Sequence, residues 1–284
     1  TMWFATTGGL LKISRDGSQQ LITVRDGLAS NIVTCIFQDK EKNIWFGTAV
    51  GLSKLVTQSG IEFFAMENGV WSSDNSFILY PYNKKFLLVS TFKGPQVFNT
   101  LTGHFSPVSK GTTEKFNGLL TGSHQPLLIG IHRMAQFDTL RQQYNKFLEL
   151  PVTNISRMIG DQAGNFFISD INRLYFNSGK VLHKILDYRI SSLLIGKQGI
   201  LWAGTWQDGI FRISYSFING QFKIVRTDHF LSSENIRSLY EDSKGTIWAG
   251  TRYQGVYRLI NAGNNRFTIS NLDQRKGLTS NFIK

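Results

Sequence analysis

Three aspartates stand at one recurring place in the sequence. Asp39, Asp161 and Asp242 each follow a short apolar run and open a polar turn, beside Glu41, Gln162 and Ser243. Paired carboxylates can act as general acid and base in glycoside chemistry. Recurrence at the same turn points instead to a turn-forming role, in which each carboxylate accepts backbone N–H groups. The other groups capable of chemistry are scattered. His104, His124, His132, His183 and His229 show no close zinc-ligand spacing. Cys35, the single cysteine, lies in an apolar run and reads as a small buried hydrophobe. There is no nucleophile elbow, P-loop or His-Glu-x-x-His helix. No catalytic set, cofactor or metal is therefore expected.

The elements around these residues repeat. Asn31 to Leu55 (NIVTCIFQDKEKNIWFGTAVGLSKL) returns at Asn235 to Leu259 (NIRSLYEDSKGTIWAGTRYQGVYRL), and a weaker copy spans Ile190 to Ile213. An anchor residue marks each unit: Trp3, Trp45, Leu88, Leu128, Phe167, Trp202 and Trp248, at steps of 35 to 46 residues. Each unit holds short strand signals separated by turn residues. First strands are expected at Ile32–Gln38, Phe77–Tyr80, Ile155–Ile159, Ile190–Ile195 and Ile236–Tyr240. The anchors lie in second strands such as Trp45–Thr48 and Trp248–Thr251. In the sixth unit the third and fourth strands are expected at Gly209–Ser214 and Phe222–Thr227. Four strands in about forty residues predict a β-propeller blade. The runs are too short, β-branched and aromatic for a helical solenoid. They lack the Trp-Asp mark and the Gly-His opener of the WD40 type. Gly47, Gly204 and Gly250 follow the anchors and are expected to let a neighbouring aromatic ring approach the backbone.

The ends carry one motif twice. Arg25-Asp26-Gly27-Leu28-Ala29-Ser30-Asn31-Ile32 leads into the second unit, and Arg275-Lys276-Gly277-Leu278-Thr279-Ser280-Asn281-Phe282 closes the sequence. Ser280 to Lys284 is thus expected to pair with Met2 to Thr6. The result is an all-β, seven-bladed propeller of four-stranded antiparallel blades, a single domain over 1–284. Because the text starts within a repeat, it is expected to come from a longer polypeptide.

The 31 Lys and Arg against 19 Asp and Glu give a net charge of +12, which favours an anionic partner. No nucleic-acid-binding motif accompanies that charge, so no nucleic-acid partner is expected.

Gly-Leu-x-Ser-Asn, an apolar strand, Asp, a polar turn, Ile-Trp-x-Gly-Thr and Gly-Leu/Val/Ile together resemble the two-component regulator propeller repeat. The resemblance is strong in the second, sixth and seventh units and faint in the third to fifth. It implies the periplasmic sensor part of a hybrid two-component system in Bacteroides-type bacteria, regulating glycan utilisation. It further implies a dimeric ectodomain, further domains in the same chain, kinase activity elsewhere in that chain, and an oligosaccharide ligand. The net charge favours an acidic one, bearing uronate or sulfate. The alternatives are a protein-interaction or dimerisation scaffold and a propeller glycosidase or lyase.

Binding residues of a propeller concentrate on the loops where the central channel opens. The loops after the second strands hold Lys93, Arg133, Arg173, Trp206, Arg252 and Tyr253. Arg forks match carboxylate and sulfate oxygens, and aromatic rings can stack on a sugar face. These six residues are the expected ligand site. The loops before the first strands add Trp71, Lys115 and Arg189 to the same face.

Overall fold

The computed structural model describes the chain apart from residues 40, 57–59, 66–78, 82, 84, 92–93, 109–115, 121–126, 131–132, 150–151, 153, 161–165, 178–181, 279 and 284. The fold is all-β. The described residues form seven antiparallel sheets in chain order, the first of three strands and the others of four. Each sheet is a meander, so sequence neighbours are sheet neighbours. In the seventh sheet, for example, Ile236–Glu241, Ile247–Thr251, Val256–Asn261 and Phe267–Leu272 follow one another. Consecutive sheets also meet along their first strands, as Arg157–Gly160, Ile190–Ile195 and Ile236–Glu241 do in the fifth to seventh.

The anchors fill the spaces between sheets. Trp45 is fully buried with Leu87, Val89 and Phe98 of the third sheet, and Trp202 with Ile236, Ile247 and Leu259 of the seventh. One such cluster joins the seventh sheet to the first: Phe4 and Leu11 pack with Val256, Leu278 and Ile283. Ile283 also bridges Thr6 in antiparallel fashion, and its amide donates to the Thr251 carbonyl at 2.9 Å. The corresponding residue before the second sheet, Val33, donates to the Thr6 carbonyl at 3.0 Å.

The recurrent motif has a local physical cause. Gly27 and Gly277 end short 3₁₀ turns with φ of 99° and 103°, a region that strains any residue with a Cβ. The Asn31 and Asn281 side chains accept from the amides of Val24 and Gln274, at 2.9 and 2.8 Å. Leu28 and Leu278 are buried beneath the turns.

Two expectations are corrected. At Gly204 and Gly250 the close neighbour is not an aromatic ring but an isoleucine of the following first strand. A Cβ at Gly204 would lie 2.5 Å from Ile236 Cγ2, and one at Gly250 2.5 Å from Ile283 Cγ2. A β-branched side chain is what reaches into the narrow inner end of the wedge. The third and fourth strands of the sixth sheet are longer than expected, Ile210–Ile218 and Gln221–Phe230. Their Asn219-Gly220 turn has both φ angles positive, 51° and 76°, which suits a two-residue hairpin. The extension lets Phe222 stack on Phe176 of the fifth sheet at 4.1 Å.

Candidate functional site

The starts of the first strands and the loops after the second strands are tied together by lateral hydrogen bonds. Trp206 N–H donates to the Arg189 carbonyl at 3.1 Å, and Arg252 N–H to the Asn235 carbonyl at 2.9 Å. These bonds set Trp206 beside Arg189, and Arg252 beside the entry to Ile236–Glu241. This end of the first strands, between the fifth and seventh sheets and the segment at Phe282, is the mouth of the cavity that Arg237 lines.

Trp206 is a platform for two cations. The Arg189 guanidinium lies 4.1 Å from its ring centroid and that of Arg237 lies 4.9 Å away. Arg237 also lies 5.7 Å from the Phe282 ring, and Arg252 lies 5.2 Å from the ring of Tyr253. Stacking of this kind positions a guanidinium while leaving its edge free to bind. Among the described residues, none of Arg189, Arg237 and Arg252 forms a salt bridge. The Arg252 Nε is buried without a partner. Desolvation, and then the charges of Arg252 and Arg189, hold the Arg237 guanidinium below its ordinary pKa, against an opposing influence of Tyr253. Arg157 is shifted the same way by desolvation and then by Arg237. The mouth is therefore a place of concentrated, uncompensated positive charge.

Arg237 reaches the mouth because of a bulge. In the second, fourth, sixth and seventh sheets the register of first and second strands slips by one residue, between Val33 and Cys35, Phe116 and Gly118, Ile190 and Ser192, and Ile236 and Ser238. A bulge re-aims the residue it contains. That residue is Thr34, Asn117, Ser191 or Arg237. Thr34 turns its hydroxyl onto the Gly47 carbonyl at 3.1 Å. Arg237, with a long side chain, instead spans to Trp206.

Of the six residues expected at the site, Trp206, Arg252 and Tyr253 are brought together. Trp206 has a different role from the expected one, because cations rather than a sugar lie against its ring. Tyr253 is 60% exposed, with the Arg252 guanidinium against its ring. Arg173 does not join them: it is exposed and pairs with Asp187 at 3.6 Å. Lys93 lies outside the described residues. Arg133 opens the strand Arg133–Asp138, opposite Glu149, and its side chain also lies outside the description. Trp71 and Lys115 are outside as well. Arg189 was visible among the loops before the first strands. Arg157, Arg237 and Phe282 were missed, because they sit in first strands or their lead-in, where alternation reads as core. The signal for Arg237 was its charge at a position that is Thr, Asn or Ser in sister units.

The recurrent aspartates lie at the opposite ends of the first strands. Asp39 accepts from Trp45 Nε1 at 2.9 Å and from the Asn43 amide at 2.8 Å. Asp242 accepts from Trp248 Nε1 at 3.0 Å and from the amides of Lys244 and Thr246. Partial burial raises the Asp242 pKa, but these bonds outweigh it and hold the carboxyl below the ordinary range. The carboxylates form turns, as the recurrence predicts, and in addition hold the anchor indoles. Asp161 lies outside the described residues. Among the described residues, no group of three or more His, Cys, Asp or Glu could hold a metal ion. Burial pushes the Cys35 thiol up to about 12, which makes it inert as a nucleophile.

Meandering antiparallel sheets that meet along their first strands define a propeller-like fold. Residues 27–49 and 231–253 match the two component regulator propeller family, so the chain carries repeats of that family at these two places. No curated protein matches the chain. Among solved structures, it resembles the extracellular domain of a Bacteroides thetaiotaomicron protein, described once as a one component and once as a hybrid two component system. The two matches have TM-scores of 0.68 and 0.65 at 20% and 21% identity, each covering 88% of this chain. They cover 35% and 34% of those chains, so this chain spans about a third of their length. It also resembles virginiamycin B lyase from Staphylococcus aureus, at 12% identity and a TM-score of 0.64, over 86% of this chain and 85% of the lyase. At these identities the likenesses establish the fold.

Proposed function

We propose that this chain is the ligand-sensing propeller of a periplasmic two-component ectodomain, and that its mouth binds an acidic oligosaccharide. The observation that carries the reading is the convergence of Arg189, Arg237 and Arg252 on two aromatic rings, with no carboxylate among the described residues paired to any of them. Arg237 is partly desolvated; a desolvated cation without a partner is costly, and an anionic ligand offsets that cost. The family match and the likeness to sensor ectodomains support the sensory role. In this reading the domain works by binding, not turnover, and hands the signal to further domains of a homodimeric receptor. The seven sheets form one closed propeller in which the segment around Ile283 completes the first sheet; the Thr6–Ile283 bridge and the shared core of first and seventh sheets support this closure.

A calorimetric screen of acidic and neutral oligosaccharides of matched length tests the reading. Acidic members should bind and weaken with added salt, since exposed charges are screened over about 8–10 Å. Binding confined to neutral sugars, or hydrolysis or elimination of any glycan, would contradict it.

A further inference from the structure

The first strands surround a cavity of about 780 Å3, which is in the size range of small-molecule sites. Near the mouth its wall carries Arg157, Ser191 and Arg237, from three consecutive sheets. Farther along the same strands the wall is mixed, with Leu193 and Leu239 beside Gln38 and Tyr240. Among the described residues no carboxylate lines the cavity.

The polar groups at this level are arranged but not satisfied. Arg157 Nε donates to the Ser191 carbonyl at 2.7 Å, and Nη1 to the Ser156 carbonyl at 2.6 Å. These bonds fix the guanidinium and leave Nη2 available. The Ser191 hydroxyl, in a residue 2% exposed, is buried without a partner. A buried hydroxyl left unpaired is costly, so the group is informative. Two mutually repelling guanidiniums and an unpaired hydroxyl on one carboxylate-free wall are complementary to an oxyanion.

We propose that the anionic group recognised here is at the end of the sugar chain, and that this end enters the cavity. Its charge is held by Arg157 and Arg237, with Ser191 donating its hydroxyl. The sugars behind it pass Arg189, Arg252 and Tyr253. A chain lying across the face would meet those three residues, none of which lines the cavity; Arg157, which opens the strand Arg157–Gly160, does line it and is met by a chain end that enters. The inference rests on the reading of the mouth as an acidic-oligosaccharide site.

The test uses two probes of equal charge, made of alternating uronate and N-acetylhexosamine without O-sulfation. One is a tetrasaccharide ending in uronate; the other is a pentasaccharide with both uronates internal. Calorimetry with the parent protein should show the tetrasaccharide binding at least about 10-fold more tightly, as the loss of one charge-assisted contact implies. Arg157→Met should remove that preference, and Arg252→Ala should weaken both probes alike. Equal affinities on the parent overturn end-on entry, while the mouth reading survives if Arg252→Ala still weakens both. If Arg252→Ala changes neither, or no probe binds, both readings fall. Should Arg157→Met not fold, the parent comparison decides alone.

Discussion

The two ends of the first strands are built from opposite charges to opposite purposes. At the far ends Asp39 and Asp242 are fully engaged, by backbone amides and by the indoles of Trp45 and Trp248. At the mouth Arg189, Arg237 and Arg252 rest on aromatic faces and have no counter-ion among the described residues. The aspartate recurs in register and serves the second and seventh sheets alike. The arginine at the bulge stands where sister sheets carry Thr34, Asn117 or Ser191. In a repeat protein, a charge that repeats is part of the scaffold. A charge that breaks the repeat is free for a ligand.

The largest expected effect belongs to the scaffold. Ile283→Ala removes a buried side chain shared by the first and seventh sheets, and should cost about 2–5 kcal/mol in urea unfolding. A loss under about 0.5 kcal/mol would mean that this segment does not complete the ring. Asp39→Ala leaves the buried Trp45 N–H unpaired and should cost about 1–3 kcal/mol. Oligosaccharide binding at a temperature where the variant remains folded should be unchanged; a large change in affinity would erase the distinction between the two ends. Gly204→Ala should cost about 1–3 kcal/mol by forcing a Cβ against Ile236.

Acid titration sharpens the same contrast. The Arg226 hydrogen bond outweighs burial, and with Arg212 lowers the Asp228 pKa; the Asp242 pKa is lowered too. A carboxyl lowered in the folded state stabilises above its unfolded value, and that stability is lost as pH falls through the folded value. Unfolding temperature should therefore hold from neutrality down to the ordinary carboxylate value of 3.8 and fall below it. Ligand binding through arginines should stay level from about pH 8 to 6, because guanidinium does not titrate there. The smallest effect is Arg173→Ala, which should leave binding unchanged, since that side chain already faces Asp187.

Much of the fold was legible because repetition multiplies weak signals. Strand pattern, anchor spacing and the paired motif at Gly27 and Gly277 each report a physical need that recurs. The long sixth-sheet hairpin was announced by Asn219-Gly220, yet its extent depends on Phe222 finding Phe176, a contact between units that no local pattern encodes. The site was half legible. Loop residues Trp206, Arg252 and Tyr253 follow from topology. Arg237 does not, because a bulge decides where its side chain goes, and a bulge is a matter of register. Nor does topology show that Trp206 serves two arginines.

The most direct test of the central claim is the affinity of the Arg237→Ala/Arg252→Ala variant for an acidic oligosaccharide that the parent protein binds, measured by calorimetry alongside urea unfolding. Hydrogen bonds to charged groups contribute about 1.5–3 kcal/mol each. Losing two should weaken binding by about 100-fold or more, with unfolding free energy unchanged or slightly raised as like charges are removed. Parent-like affinity in a folded double variant would contradict the assignment of the mouth.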